Sequence, residues 1–167
     1  VSGADTGIKN EQNSNLNIYN GTAQATGSTG YGIYNQGTVS VSGGIVTSRS
    51  NGIHNYYTGT INVSGTVQVS GSTCIYNGGG TVTVSGGTVT ATGTSGSGID
   101  NSGTGTLTVS GGTVTANNGS SKGISNSGTL NLQGAPSITG AAADIYLANN
   151  KVINISGALT YGAANAI

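Results

Sequence analysis

Asp5, Glu11, Asp100 and Asp144, together with His54 and Cys74, are the groups through which this chain could do acid–base, metal or thiol chemistry. Cutting a polysaccharide takes a cluster of carboxylates, often with a calcium ion and a basic residue beside it. Of the four acids only Asp5 and Glu11 share a repeat, and Asp100 has no second carboxylate in the repeats next to it. Calcium-binding nonapeptide repeats need an aspartate in every repeat, which this chain lacks. His54 has no Cys, Asp, Glu or second His at a matching position, so no metal site is expected. Cys74 is the single cysteine and cannot form an internal disulfide. Its expected role is inert packing, with a thiol crosslink between copies as the alternative. The expectation is therefore no enzyme, no metal and no cofactor, with a polysaccharide lyase- or hydrolase-like activity only a remote alternative.

A second set of residues recurs with a period. Asn10, Asn35, Asn55, Asn77, Asn101 and Asn126 each lie two residues after an isoleucine, and so on the same inward face of a strand. An inward amide in every repeat predicts a ladder in which each side chain bonds its neighbours and the bend backbone, because a buried amide left unpaired costs about 1 to 3 kcal/mol. The residue between Ile and Asn points outward and reads Lys9, Tyr34, His54, Tyr76, Asp100, Ser125 and Tyr146. Tyr34, His54 and Tyr76 in succession, with Tyr56 and Tyr57 on the following loop, form a candidate ligand-binding face on which sugar rings could stack. The alternative is rigid, amphipathic covering of a β-face.

These positions need elements to hold them. The isoleucines of the motif, Ile8, Ile33, Ile53, Ile75, Ile99, Ile124 and Ile145, are spaced by 25, 20, 22, 24, 25 and 21 residues. Seven repeats starting near residues 7, 32, 52, 74, 98, 123 and 144 make residues 1–167 a single solenoid domain. Within each repeat apolar and polar residues alternate, which is the rhythm of strands and not of a helix. The first strand is "GIYN" or its equivalent. The second is Val39-Ser-Val41, Ile61-Asn-Val63, Val82-Thr-Val84 and their counterparts, and the third is clearest as Val67-Gln-Val69, Val89-Thr-Ala91 and Val114-Thr-Ala116. Ser42-Gly-Gly44, Ser85-Gly-Gly87 and Ser110-Gly-Gly112 make a nearly constant bend between the second and third strands, where glycine supplies positive φ at no steric cost. The other two corners vary in length and are where function is expected. Three short one-sided strands per repeat can bury their apolar faces only by coiling about a common axis, so the predicted fold is an all-β, three-sided parallel β-helix of about seven turns, roughly 33 Å long.

The stretches "GIYNQGTVSVSGGIV", "CIYNGGGTVTVSGGTVTATG" and "GISNSGTLNLQGAPSITG", followed by "DIYLANNKVINISGALTYG", resemble the right-handed β-helix repeats of secreted and wall-anchored surface proteins of Gram-positive bacteria. The likeness covers nearly all seven turns and is sharpest from Gly128 to Gly162. It implies a right-handed helix in an extracellular setting, with adhesin-like or structural roles, and no activity.

Charge narrows the partners. With four basic and four acidic residues and no basic stripe, no nucleic-acid partner is expected. No apolar run is long enough for membrane insertion. Ice binding wants a long Thr-x-Thr ladder. Thr81/Thr83, Thr88/Thr90, Thr106/Thr108 and Thr113/Thr115 obey it, but Asn62 and Asn131 flank the rungs, so this stays a remote alternative. Val1-Ser-Gly3 has the form of the end of a previous turn, and Ala158 to Ile167 carries no charge and no Pro. Open ends of that kind predict either head-to-tail self-association into filaments or a segment whose neighbours in a longer chain supply the caps. The sequence thus points to a non-enzymatic extracellular structural solenoid, an adhesin stalk or a self-assembling fibre subunit. A carbohydrate- or host-ligand-binding module using the outward Tyr/His face is the alternative.

Overall fold

The structure, a computed structural model, describes residues 1–159; the expectation drawn from "ALTYGAANAI" therefore falls largely outside the described residues. Every regular element among them is a β-strand, and every strand pairing is parallel. The chain winds as a three-sided parallel β-solenoid of about seven turns.

The first face is a seven-stranded sheet that runs from Thr6–Asn10 through Tyr31–Asn35, Asn51–Asn55, Thr73–Asn77, Ser97–Asn101 and Lys122–Asn126 to Ala143–Leu147. Each turn contributes one strand, and Ile33, Ile53, Ile75, Ile99 and Ile124 stack in register and are fully buried. The second face stacks Asn15–Ile18, Thr38–Val41 and Thr60–Val63 with the leading parts of Thr81–Ala91 and Thr106–Ala116. The third stacks Thr22–Ala25, Ile45–Thr47 and Gln68–Gly71 with the trailing parts of those two long strands. Both long strands bend without a break at their Ser-Gly-Gly corners, where Gly87 and Gly112 hold φ of 80° and 79°.

One apolar cluster fills the interior from Ile18 to Leu132. It is built from the alternation itself: Val82 and Val84, or Leu107 and Val109, point in while the threonines between them point out. Where the third face bends into the first the inward residues shrink, with Gly71 opposite Ala91 and Ala116 opposite Gly140, because the backbone of the bend fills that space: a Cβ on Gly71 would lie 2.6 Å from Gly52 N, and one on Gly140 would meet Gly123 N and Ala143 O.

One strand assignment differs from expectation. Val69, not Val67, pairs with Val46 and Val89, while Val67 sits at the corner beside Gly87. A V-x-V alternation is ambiguous by two residues. The corner decides it: Val69 comes six positions after Val63, against five from Val84 to Val89. The extra residue is absorbed around Gly65, whose φ is 59°.

Candidate functional site

The six asparagines stand in one column inside the first corner. Nδ2 of Asn10 donates to Oδ1 of Asn35 at 2.8 Å, and the same bond repeats from Asn35 to Asn55 (2.8 Å), Asn55 to Asn77 (2.9 Å), Asn77 to Asn101 (2.8 Å) and Asn101 to Asn126 (2.6 Å). Each amide of the run from Asn35 to Asn126 also donates to the carbonyl of the glycine just before the next strand, as Asn55 does to Gly59 at 2.8 Å and Asn77 to Gly80 at 3.0 Å. Those glycines are there for space. A Cβ on Gly105 would sit 2.6 Å from both Asn101 Oδ1 and Asn77 Nδ2. In the seventh turn Leu147 takes the place of asparagine, and the ladder ends.

The outward column is in register from Lys9 to Tyr146. Parallel strands bring the rings one rung apart: Tyr34 and His54 stack at 5.5 Å with 9° between planes, and His54 and Tyr76 at 4.9 Å. Aromatic rings cannot lie side by side in one plane at such separations, so these stand on edge with their faces against one another. The column therefore offers solvent mainly ring edges, hydroxyls and the imidazole instead of a flat platform. Tyr56 joins from the corner at 5.9 Å from Tyr34 and meets Tyr57 edge-on at 4.4 Å.

Tyr31 belongs to the same cluster, 4.6 Å from His54, and sequence alternation missed it. Three residues separate it from Tyr34, which places the two on opposite faces of a regular strand. The rung-to-rung pairing passes over Gly32, however, where the chain turns in from the third face, and both rings end up outside. The signal for it was the position itself: Tyr31 lies on the wet side of a bend.

Electrostatics are quiet here. Burial lowers the His54 pKa from its ordinary 6.5. Asn51 Nδ2 donates to His54 Nδ1 at 3.1 Å, which leaves the proton of the neutral ring on Nε2. Burial likewise raises Tyr34. Lys9 and Glu11 pair at 2.7 Å on the surface. Asp100 accepts from Ser102 Oγ at 3.2 Å, and burial, opposed by that bond and by Lys122, raises its pKa. Lys122 itself lies 3.9 Å from the centre of the Tyr146 ring. Cys74 is fully enclosed in the core and its thiol is pushed up to about 12 by desolvation, which puts the sulfur out of reach of a second chain. Asp144 accepts from the Gly140 N–H at 2.9 Å. Among the described residues no three His, Cys, Asp or Glu side chains come together as metal ligands would.

The threonines form longer columns than counting complete Thr-x-Thr rungs suggested. On the second face Thr38, Thr60, Thr81, Thr106 and Thr129 stack in unbroken register, while the companion column alternates Ser40, Asn62, Thr83, Thr108 and Asn131.

Comparison with family models, with curated proteins and with solved structures gave no match.

Proposed function

We propose that this chain is a non-enzymatic extracellular structural module, working as the stalk of a surface adhesin or as the subunit of a fibre. The observation that carries the reading is the contrast between interior and exterior. Inside, the same Ile, Val and Asn positions repeat turn after turn and are joined by a continuous hydrogen-bonded ladder. Outside, the column of the first face changes from Lys9 through aromatics to Asp100, Ser125 and Tyr146, with no one residue kept from turn to turn. A repeat that keeps its interior, while its first-face surface varies and its second face repeats only small hydroxyls, suits a part whose task is length and stiffness. The dispersed carboxylates support the non-enzymatic side of the reading. The resemblance of the repeats to Gram-positive surface β-helices supports the extracellular side.

Antibody labelling of intact source cells tests this. Label on unpermeabilised cells is the expected result; label that appears only after permeabilisation overturns the surface assignment. Release of reducing ends from plant or bacterial polysaccharides by the purified chain would overturn the non-enzymatic one.

A further inference from the structure

The corner between the first and second faces changes length from turn to turn. Residues 11–14 make it in the first turn, residues 36–37 in the second and residues 56–59 in the third. The Gln36 N–H donates to Asn10 O, and the Tyr56 N–H to Asn35 O, each at 2.8 Å, so the three corners start directly over one another. Two long loops thus overhang a short one. With rungs about 4.8 Å apart, the loops stand two rungs from each other and leave a slot about one rung high. That slot is a hollow of about 290 Å³ with Gln36 on its floor, Gln12, Asn13 and Asn15 on one wall and Thr58 on the other, bordered by Thr38.

Its chemistry is uniform. Four side-chain amides and the three hydroxyls of Ser14, Thr38 and Thr58 face or border the slot, and among the described residues none of these seven side chains is hydrogen-bonded within the chain. The backbone of the floor, by contrast, is committed: Thr38 N–H donates to Ser14 O at 2.9 Å, and Gly37 O accepts from both Thr60 N–H and Asn35 Nδ2. An extended peptide, which pairs through backbone groups, would find Thr38 N–H and Gly37 O already taken. Amides and hydroxyls both donate and accept, as sugar hydroxyls do. The residues that line the slot carry no charge, and Glu11 beside it is paired with Lys9.

The third-turn wall carries the aromatic ridge. Tyr57 is 62% exposed and Tyr56 40%, the two rings meeting edge-on. Tyr57 holds a φ of 33° and Asn13, on the opposite wall, 64°. A tyrosine in that region is held there against its backbone preference.

We propose that the slot is a binding subsite for one residue of an uncharged oligosaccharide, the neighbouring sugars lying against the Tyr56–Tyr57 ridge. The site lies beside the ring column of the first face, which Tyr56 joins at 5.9 Å from Tyr34, and it does not depend on the stalk assignment. The test is titration of the isotope-labelled chain with cellohexaose, xylohexaose, mannohexaose and chitohexaose, with hexagalacturonate as the anionic counterpart, at millimolar concentration. At least one neutral probe shifts the side-chain amide signals of Gln12, Asn13 and Gln36. Tyr57→Ala and Gln36→Ala each weaken that binding about ten-fold, the size expected from an aromatic or paired polar contact, with melting unchanged. No shift at those amides with any neutral probe, stronger binding of hexagalacturonate, or undiminished binding by both variants overturns the proposal.

Discussion

Asn77→Leu cuts the ladder at its middle. In the wild-type chain Asn77 Nδ2 supplies the one hydrogen bond made to Oδ1 of Asn101, at 2.8 Å, and Asn77 Oδ1 accepts from Asn55 Nδ2 at 2.9 Å. Asn55 keeps Gly59 O and Thr81 O as acceptors, and Gly80 O keeps the Thr106 N–H. The Oδ1 of Asn101 keeps nothing, at a position with no solvent access. One stranded buried acceptor costs about 1 to 3 kcal/mol, and the lost bond from Asn55 adds about 1. Leucine returns part of this as apolar burial, leaving about 2 to 3 kcal/mol of destabilisation, or about 4 to 12 °C in melting temperature for a chain of this length. Asn126→Leu is the control. The next rung there is Leu147, so no amide oxygen is orphaned, and the expected cost is about 1 kcal/mol. Thermal and urea unfolding of both variants measure the difference. Equal losses at the two sites would refute the reasoning, because they would mean that the amides contribute as separate polar groups and not as a ladder.

Gly105→Ala should destabilise more than Gly103→Ala: the first puts a Cβ 2.6 Å from two ladder amides, whereas the second meets no atom within 4 Å and strains only a φ of 58°. Melting curves of the pair check it. Ser48→Ala should raise the melting temperature by about 2 to 4 °C, since its buried hydroxyl has no partner and alanine removes a polar group worth about 1 kcal/mol of desolvation. Because the folded His54 pKa lies below 6.5, the unfolded chain binds more protons in the window between the two values, and stability must rise with pH across that window and fall on acidification through it. His54→Gln should flatten this part of the pH–stability profile, as urea unfolding over a pH series would show.

Much of this was legible in the sequence where a period carried it. The isoleucine and asparagine columns, the outward series from Lys9 to Tyr146 and the Ser-Gly-Gly bends follow from counting, because a solenoid turns a recurrence in sequence into a stack in space. Counting failed where the chain departs from alternation. A two-residue slip preserves a V-x-V pattern, so counting does not separate Val67 from Val69, and only the longer bend around Gly65 resolves them. Strict alternation gives no sign of Tyr31, because the strand steps across Gly32. The slot above Gln36 has no signature of its own; it exists because a two-residue corner lies between two four-residue ones, and which corners are neighbours depends on the register of three turns. The edge-on packing of Tyr34, His54 and Tyr76 was also beyond reach, since the sequence names the rings but not their tilt.

The ladder is what makes the structural reading more than a composition argument, and hydrogen exchange of the asparagine side-chain amides measures it directly. The account predicts that the Nδ2 protons of Asn35, Asn55, Asn77 and Asn101, all without solvent access, exchange as slowly as the backbone amides of the stacked isoleucines, while those of the outward Asn62 and Asn131 exchange at least a hundred-fold faster, about the factor set by some 3 kcal/mol of opening energy. Rapid exchange at the four inner amides would contradict it.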